Sequence, residues 1–284
     1  MTNEYIKICK HGIDGFGHQL EGMLRLISLS LNNKAQYMYE LNKHFSFEHS
    51  NFNIDTLHLY LSNALEKLSN IDRKVEMSSE YKIVYHENRT FETIIHNDYN
   101  YANNIYIYDG VGCGRVLPPN FEDADELKKS LPSLRNAFVL ENQFLPPPTY
   151  KNNIMNVVCH IRLGDAVGTR LLDNNKILEF VKQFQQNTDV HVTIHSDGDI
   201  SYLTSENTTL HDKNTDVLNI LSDFIHADIL IINYSALSIV GHLLAKDSQQ
   251  VICPNVAGPT FHKRILHKCI KMCDYDNSQQ SFCQ

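Results

Sequence analysis

The chain has 284 residues, 42% of them hydrophobic and 20% charged, which is enough to bury one large core or two smaller ones and excludes disorder over most of its length. Thirty-three acidic residues against 25 basic ones give a net charge of −8. No Lys/Arg block breaks that pattern, so generic attraction to nucleic acid or to an anionic membrane is excluded, and any bound anion must be met locally.

The start, Met1 to Lys7, lacks an apolar signal core, and no window reaches the roughly 18 apolar residues of a membrane helix, so the sequence predicts a soluble, cytoplasmic protein without a membrane span. Seven cysteines are scattered without Cys-x-x-Cys spacing. Cys9, Cys159 and Cys253 sit inside apolar runs and read as buried thiols.

In chain order, Tyr5 to Cys9 predicts a strand and His11 to Gly17 a glycine-rich turn. A helix from about His18 to Leu31 follows, with Leu20, Met23, Leu24, Ile27 and Leu31 on one face. Ala35 to Tyr39, Tyr81 to Tyr85 and Ile105 to Tyr108 predict further strands, and Thr56 to Leu68 a helix. From about Gly110 to Tyr150 come Pro118, Pro119, Pro132 and the run Pro146 to Pro148, which should end helices and central strands. A domain boundary is placed there, giving domains 1–150 and 151–284.

The second half alternates more regularly. Strands are predicted at Met155 to Ile161, Val190 to His195, Asp228 to Ile232 and Gln250 to Cys253, with helices at Asn174 to Gln186, about Asp216 to His226 and about Ala236 to Ala245 between them. Strands separated by helices of about ten residues predict an α/β protein with parallel sheets wound in βαβ units.

Four loops would follow strands in this scheme, and in an open α/β sheet the carboxyl ends of the strands face the ligand crevice. They are Gly15-Phe16-Gly17-His18-Gln19, His160-Ile161-Arg162-Leu163-Gly164-Asp165, Ser196-Asp197-Gly198-Asp199 and Asn233 to Ser238. Arg162 is the first candidate, because a guanidinium can clamp a phosphate bidentately; an ion pair with Asp165 is the other reading of the same residue. His160 lies two residues earlier on the same strand face, within reach of a base or a sugar hydroxyl. Ser235, Ala236 and Ser238 open a helix, where free amides and the dipole favour an anion and where a serine also serves as N-cap.

Gly15 and Gly17 would let a ligand approach the backbone, yet Leu20 stands where a dinucleotide fingerprint needs its third glycine. Asp197 and Asp199, two apart, could hold a divalent cation on a diphosphate, or simply form an Asp/Gly turn. The 15 histidines show no zinc-ligand spacing.

Taken together, His-x-Arg-x-Gly-Asp at His160 to Asp165, the strand ending in Ser196-Asp197, and Asn233-x-Ser235-x-x-Ser238 followed by Gly241 resemble the motif set of the fucosyltransferase superfamily. The nearest resemblance is to the α-1,2-fucosyltransferases of glycosyltransferase family 11, with kinship to the α-1,6- and protein O-fucosyltransferases. Gly15 to Gln19 resembles that family's early Gly-x-Gly-Asn-Gln element. The segment from about Asn42 to Tyr150 matches no known pattern.

The resemblance implies a GT-B arrangement: two Rossmann-like domains facing a cleft, the first on the acceptor side and the second holding GDP-fucose, with no cofactor and no metal. It implies inverting transfer of fucose to a glycan hydroxyl, with nucleotide-sugar donor and glycan acceptor as the partners. Arg162 would neutralise charge on the departing GDP, His160 would contact the guanosine, Ser235 to Ser238 would cradle the phosphates, and Asp216 is a candidate guanine contact. Asp165, Ser196 and Asp197 complete the donor set, and His18 or Asp14 is nearest to the place of a general base. Three departures stand out: His18 replaces the usual Asn, Leu163 replaces a second Arg, and Ala236 to Val240 lacks the Ser-Phe-Ser-Trp-Trp pattern in a chain without tryptophan.

Overall fold

The computed structural model describes residues 5–10, 15–32, 36–38, 53–68, 71–72, 82–85, 104–109, 121–150, 154–163, 174–233, 235–253 and 270–271. The chain divides into two compact units at Leu145/Pro146.

Unit 1 contains strands β1 (Tyr5–Lys10), β2 (Gln36–Met38), β3 (Ile71–Asp72), β4 (Lys82–Tyr85) and β5 (Asn104–Asp109), in the order β3-β2-β1-β5-β4 and parallel throughout. Helix α1 (Phe16–Asn32) buries Leu20, Met23, Leu24 and Ile27, the apolar face expected from their spacing. Helix α2 (Ile54–Glu66) starts at Asn53, whose side chain accepts from the amides of Asp55 and Thr56, and it buries Leu57, Tyr60, Leu61, Ala64 and Leu65.

Helix α3 (Phe121–Arg135) corrects the expectation of irregular chain around Pro132, because it runs through that proline. Pro132 forfeits one helical hydrogen bond and crowds the carbonyl four residues before it. Burial of Leu127, Leu134, Ala137 and Phe138 offsets that cost, as does the Ser28 hydroxyl of α1 donating to Ser130 at 3.0 Å. A π-helical turn (Asn136–Leu140) follows, closed by Glu141 N donating to Asn136 O at 2.9 Å.

Unit 2 carries a six-stranded parallel sheet of order β11-β10-β9-β6-β7-β8. Its strands are β6 (Met155–Ile161), β7 (Val190–Ser196), β8 (Thr208–His211), β9 (Ile229–Ile231), β10 (Gln250–Cys253) and β11 (Ile270–Lys271). Its helices are α4 (Asn174–Gln185), α5 (Val217–His226) and α6 (Ala236–Leu244). The expected α/β class with parallel sheets is therefore what both units adopt, while β3, β8, β11 and α3 were not expected.

Side-chain alternation gives the sheet of unit 2 two unlike faces. One face is apolar: Val157, Cys159, Ile161, Val192, Ile194, Ile231 and Ile252 pack with Ile177, Phe180, Val181 and Phe184 of α4. The other face is polar at its centre, carrying His160, His191, Thr193 and His195, all but His160 fully buried.

Cys159 is a buried free thiol, as expected. Cys253 is not: it is disulfide-bonded, an arrangement that belongs to oxidising surroundings more than to a cytosol. No helix among the described residues is long and apolar enough to cross a membrane.

Candidate functional site

In unit 2 the chain builds β6, β7 and β8 outward in one direction and then returns to lay β9 against the other side of β6. The order reverses between β6 and β9, and ligands of open α/β sheets bind beyond the carboxyl ends of the strands at such a switch point. The register sets Cys159 opposite Ile231. Arg162, one residue past the end of β6, and Asn233 and Ser235, just past β9, therefore flank the switch.

Arg162 is partly buried. Across the switch, Ser235 occupies the N-cap position of α6, yet its side chain makes no cap hydrogen bond. The unpaired amides of the first turn and an uncommitted hydroxyl thus stand where an anion is favoured. Ala236 is the buried first residue of α6, and the Ser238 hydroxyl donates to the Ser235 carbonyl at 2.9 Å, so Ser238 shapes the turn.

The Ser196 to Asp199 loop is held by its own polar groups. Asp197 Oδ1 accepts from the amide of Leu163 at 2.7 Å, tying this loop to the Arg162 loop. Ser196 Oγ accepts from Gly198 N at 3.1 Å and Asp199 Oδ1 from Ser201 N at 2.9 Å. The hydrogen bonds from Ser201 hold the Asp199 carboxyl below its ordinary range. These contacts make Asp197-Gly198-Asp199 a turn, the plainer of the two readings its sequence allowed.

Asp216 is the N-cap of α5, its side chain accepting from Leu218 N at 2.8 Å; any guanine contact would fall to its other oxygen. Asp165 and Asp14 lie outside the described residues. In unit 1, Gly17 and His18 lie in the first turn of α1, with His18 N donating to Gly15 O at 3.0 Å. A side chain at Gly15 would meet no atom within 4 Å, so the glycine leaves open space before the helix.

What sequence reasoning missed lies one layer below the loops. His160, His195 and His211 are register partners on β6, β7 and β8, forming a row across the sheet. The His195 and His211 rings stack at 4.6 Å and 9°. Asp223 of α5, wholly buried, sits against the row: His195 Nε2 donates to its Oδ2 at 3.0 Å. Thr149 completes the set, its amide donating to Asp223 Oδ1 at 2.7 Å and its hydroxyl to Oδ2 at 2.8 Å, while His211 Nε2 lies 3.0 Å from that hydroxyl.

Burial alone would push the Asp223 carboxyl up, but the hydrogen bonds and charge of His195 and the two hydrogen bonds from Thr149 outweigh it and hold it down. His160 is pushed down to about 3, first by burial and then by the charges of His195 and Arg162, so it is a neutral imidazole at neutral pH. His211 is lowered as well, by burial and by His195, against the opposing pull of Asp223 and Asp212.

His195, His211 and Asp223 offer three ligand atoms within 4.8 Å of one another, the donor set a divalent cation would use. The rings stack nearly parallel, and Asp223 and Thr149 already engage their Nε2 atoms. Hydrogen bonding accounts for the cluster.

No family model matches the chain, and no curated protein matches it. Among solved structures the chain is similar to glycosyltransferases and a UDP-bound protein. A fucosyltransferase NodZ from Bradyrhizobium aligns with a TM-score of 0.48 at 12% identity, over 91% of this chain and 97% of that one. The E. coli ADP-heptose lps heptosyltransferase II aligns with a TM-score of 0.48 at 11% identity, over 94% and 89%. S. aureus MnaA in a UDP co-structure aligns with a TM-score of 0.45 at 8% identity, over 100% and 88%.

Proposed function

We propose that unit 2 binds a nucleoside diphosphate sugar, GDP-fucose, and that the protein transfers the sugar to a glycan hydroxyl with inversion and without a metal. One observation carries the reading: Arg162 and the N-terminus of α6, with the uncommitted Ser235 hydroxyl, leave the two strands that flank the switch point. A diphosphate placed there meets a fixed guanidinium on one side and amide donors on the other.

The chemistry follows from that placement. As the acceptor oxygen attacks the anomeric carbon, the bond to the diphosphate breaks and negative charge gathers on the leaving GDP. Arg162 and the α6 amides stabilise that charge as it develops. His160, neutral and two residues from Arg162, serves the nucleoside as a hydrogen-bonding group and not as a second cation. Asp197 and Asp199 each spend one oxygen on holding a turn, and we assign them that role and not a cation's. His18 in α1 remains the nearest match for a base, with unit 1 taking the acceptor side.

Arg162→Ala tests the reading. GDP release from GDP-fucose in the presence of glycan acceptors should fall by about two orders of magnitude or more while circular dichroism is unchanged. Undiminished turnover in a folded Arg162→Ala protein would remove the central residue. The His18 departure favours a second reading, a nucleotide- or glycan-binding protein that performs no transfer. Tight GDP binding with no GDP release from any acceptor tried would favour it.

A further inference from the structure

Three consecutive residues of α5 reach three different places. The Ser222 hydroxyl donates to the carbonyl of Pro146 at 2.5 Å. Asp223 takes both donors of Thr149 and the Nε2 of His195. Phe224 is the common neighbour of His160 and His195, its ring centroid 5.3 Å from each. One turn of helix thus joins the segment Pro146 to Thr149 of unit 2 to His160, the penultimate residue of β6.

We propose that Asp223 is a positioning residue for the nucleotide site: anchored by Thr149, it fixes His195 and, through the adjoining Phe224, the ring of His160 beside Arg162. The assignment rests on the reading of unit 2 as a nucleotide site.

Asp223 has no surface at which to contact a ligand, so its influence must pass through its partners. His195, on the fully buried β7, is held to α5 through Nε2 while its buried Nδ1 has no hydrogen-bond partner. The Nδ1 of His160 is likewise buried and without a partner. No hydrogen bond of its own therefore fixes the His160 ring at that nitrogen. Packing against Phe224 remains, and Phe224 is itself pinned from the far side by Gly241 of α6, where an added Cβ would overlap the Phe224 Cβ.

A carboxylate that accepts from three donors on two other elements sets the angular position of α5, and with it the position of Phe224. Loss of that anchor frees the ring of His160 without touching the ligand. The chemistry is positional: no bond forms or breaks at Asp223.

The test uses the full chain and four proteins: wild type, Asp223→Asn, Thr149→Val and Thr149→Ser. Thr149 is exposed, so its variants keep the fold even if Asp223→Asn does not. Two measurements are made on each, GDP affinity by calorimetry and the ring signals of His160 by nuclear magnetic resonance without nucleotide. Asp223→Asn and Thr149→Val should weaken GDP about tenfold and severalfold respectively, from lost hydrogen bonds to a charged group, and both should shift the His160 signals. Thr149→Ser, which restores the hydroxyl, should return both readouts to within about twofold of wild type.

Unchanged His160 signals and unchanged GDP affinity in folded Asp223→Asn or Thr149→Val would overturn the assignment. So would reduced thermal stability alone, with both site readouts intact. If the wild type binds no GDP while the His160 signals still move in the variants, the nucleotide reading falls and the link from Asp223 to His160 stands.

Discussion

In α1 of unit 1, Glu21 and Arg25 are buried together one helical turn apart, paired through a carboxylate oxygen and a guanidinium nitrogen. In unit 2, the buried pair His195 and Asp223 is 28 residues apart in sequence and joins a strand to a helix, with Thr149 and His211 completing it. The first pair lies within one element. The second pair exists only when β7, β8, α5 and the Pro146 to Tyr150 segment are all in place. Buried charge in unit 2 is therefore a statement about tertiary structure, and it lies beneath the strand ends that carry the proposed nucleotide site.

The largest expected contrast comes from removing one carboxylate in each unit. Asp223→Ala leaves His195 and both Thr149 donors without their acceptor and should cost about 3–5 kcal/mol. Glu21→Ala removes one charged hydrogen bond within a single helix and should cost about 1–3 kcal/mol. Denaturant unfolding of both variants gives the comparison. Equal losses would show that Asp223 is no more tied to the tertiary structure than a pair within one helix.

Gly241→Ala should come next, at about 1–3 kcal/mol, because the new methyl must displace Phe224 from α5. In the same protein GDP affinity should fall, since Phe224 packs on His160. A stable Gly241→Ala protein with native affinity would contradict the close α5/α6 packing.

Acid should weaken the molecule through the histidine row. His160 and His211 are held neutral when folded, with His160 pushed down to about 3, while the unfolded chain protonates near the ordinary histidine value of about 6.5. The unfolded state then binds more protons, so stability is complete above about pH 6.5 and falls as pH drops below it, toward about 3 for His160, by up to about 1.4 kcal/mol per pH unit for a group. Asp223, lowered when folded, adds its own loss only below the ordinary Asp value of about 3.9. Melting temperatures at pH 7.5 and 5.0 check this, and His211→Gln should flatten part of the slope. A midpoint that rises on acidification would contradict neutral His160 and His211.

Much of the fold was legible because the periodicities are strong. Met155–Ile161 and Gln250–Cys253 are strands with the bounds their apolar runs suggest, and α1 buries the face its spacing marked. Helix α3 was hidden by Pro132, whose usual effect is overridden by packing against α1. Strand β8 was hidden because Thr208 to His211 is short, mostly polar and partly exposed along its length at the edge of the sheet, and it carries His211.

The loop candidates were legible as strand ends, and Arg162, His160 and Ser235 stand at the expected place in unit 2. The row beneath them was not, since cross-strand register cannot be read from one strand. Its signal was nevertheless present: His191, Thr193 and His195 alternate in a strand otherwise apolar, and Asp223 falls among the buried residues of an amphipathic helix. Polar residues repeated on a face that should be apolar mark a buried network whose partners lie elsewhere in the chain.

Calorimetry of the wild-type protein with GDP and with UDP, each with and without a chelator, tests the central claim most directly. GDP should bind, UDP should bind at least about tenfold more weakly as expected for a site built around one nucleobase, and the chelator should change neither. A preference for UDP, or GDP binding that disappears with the chelator, would contradict a metal-free GDP-sugar site at the β6/β9 switch.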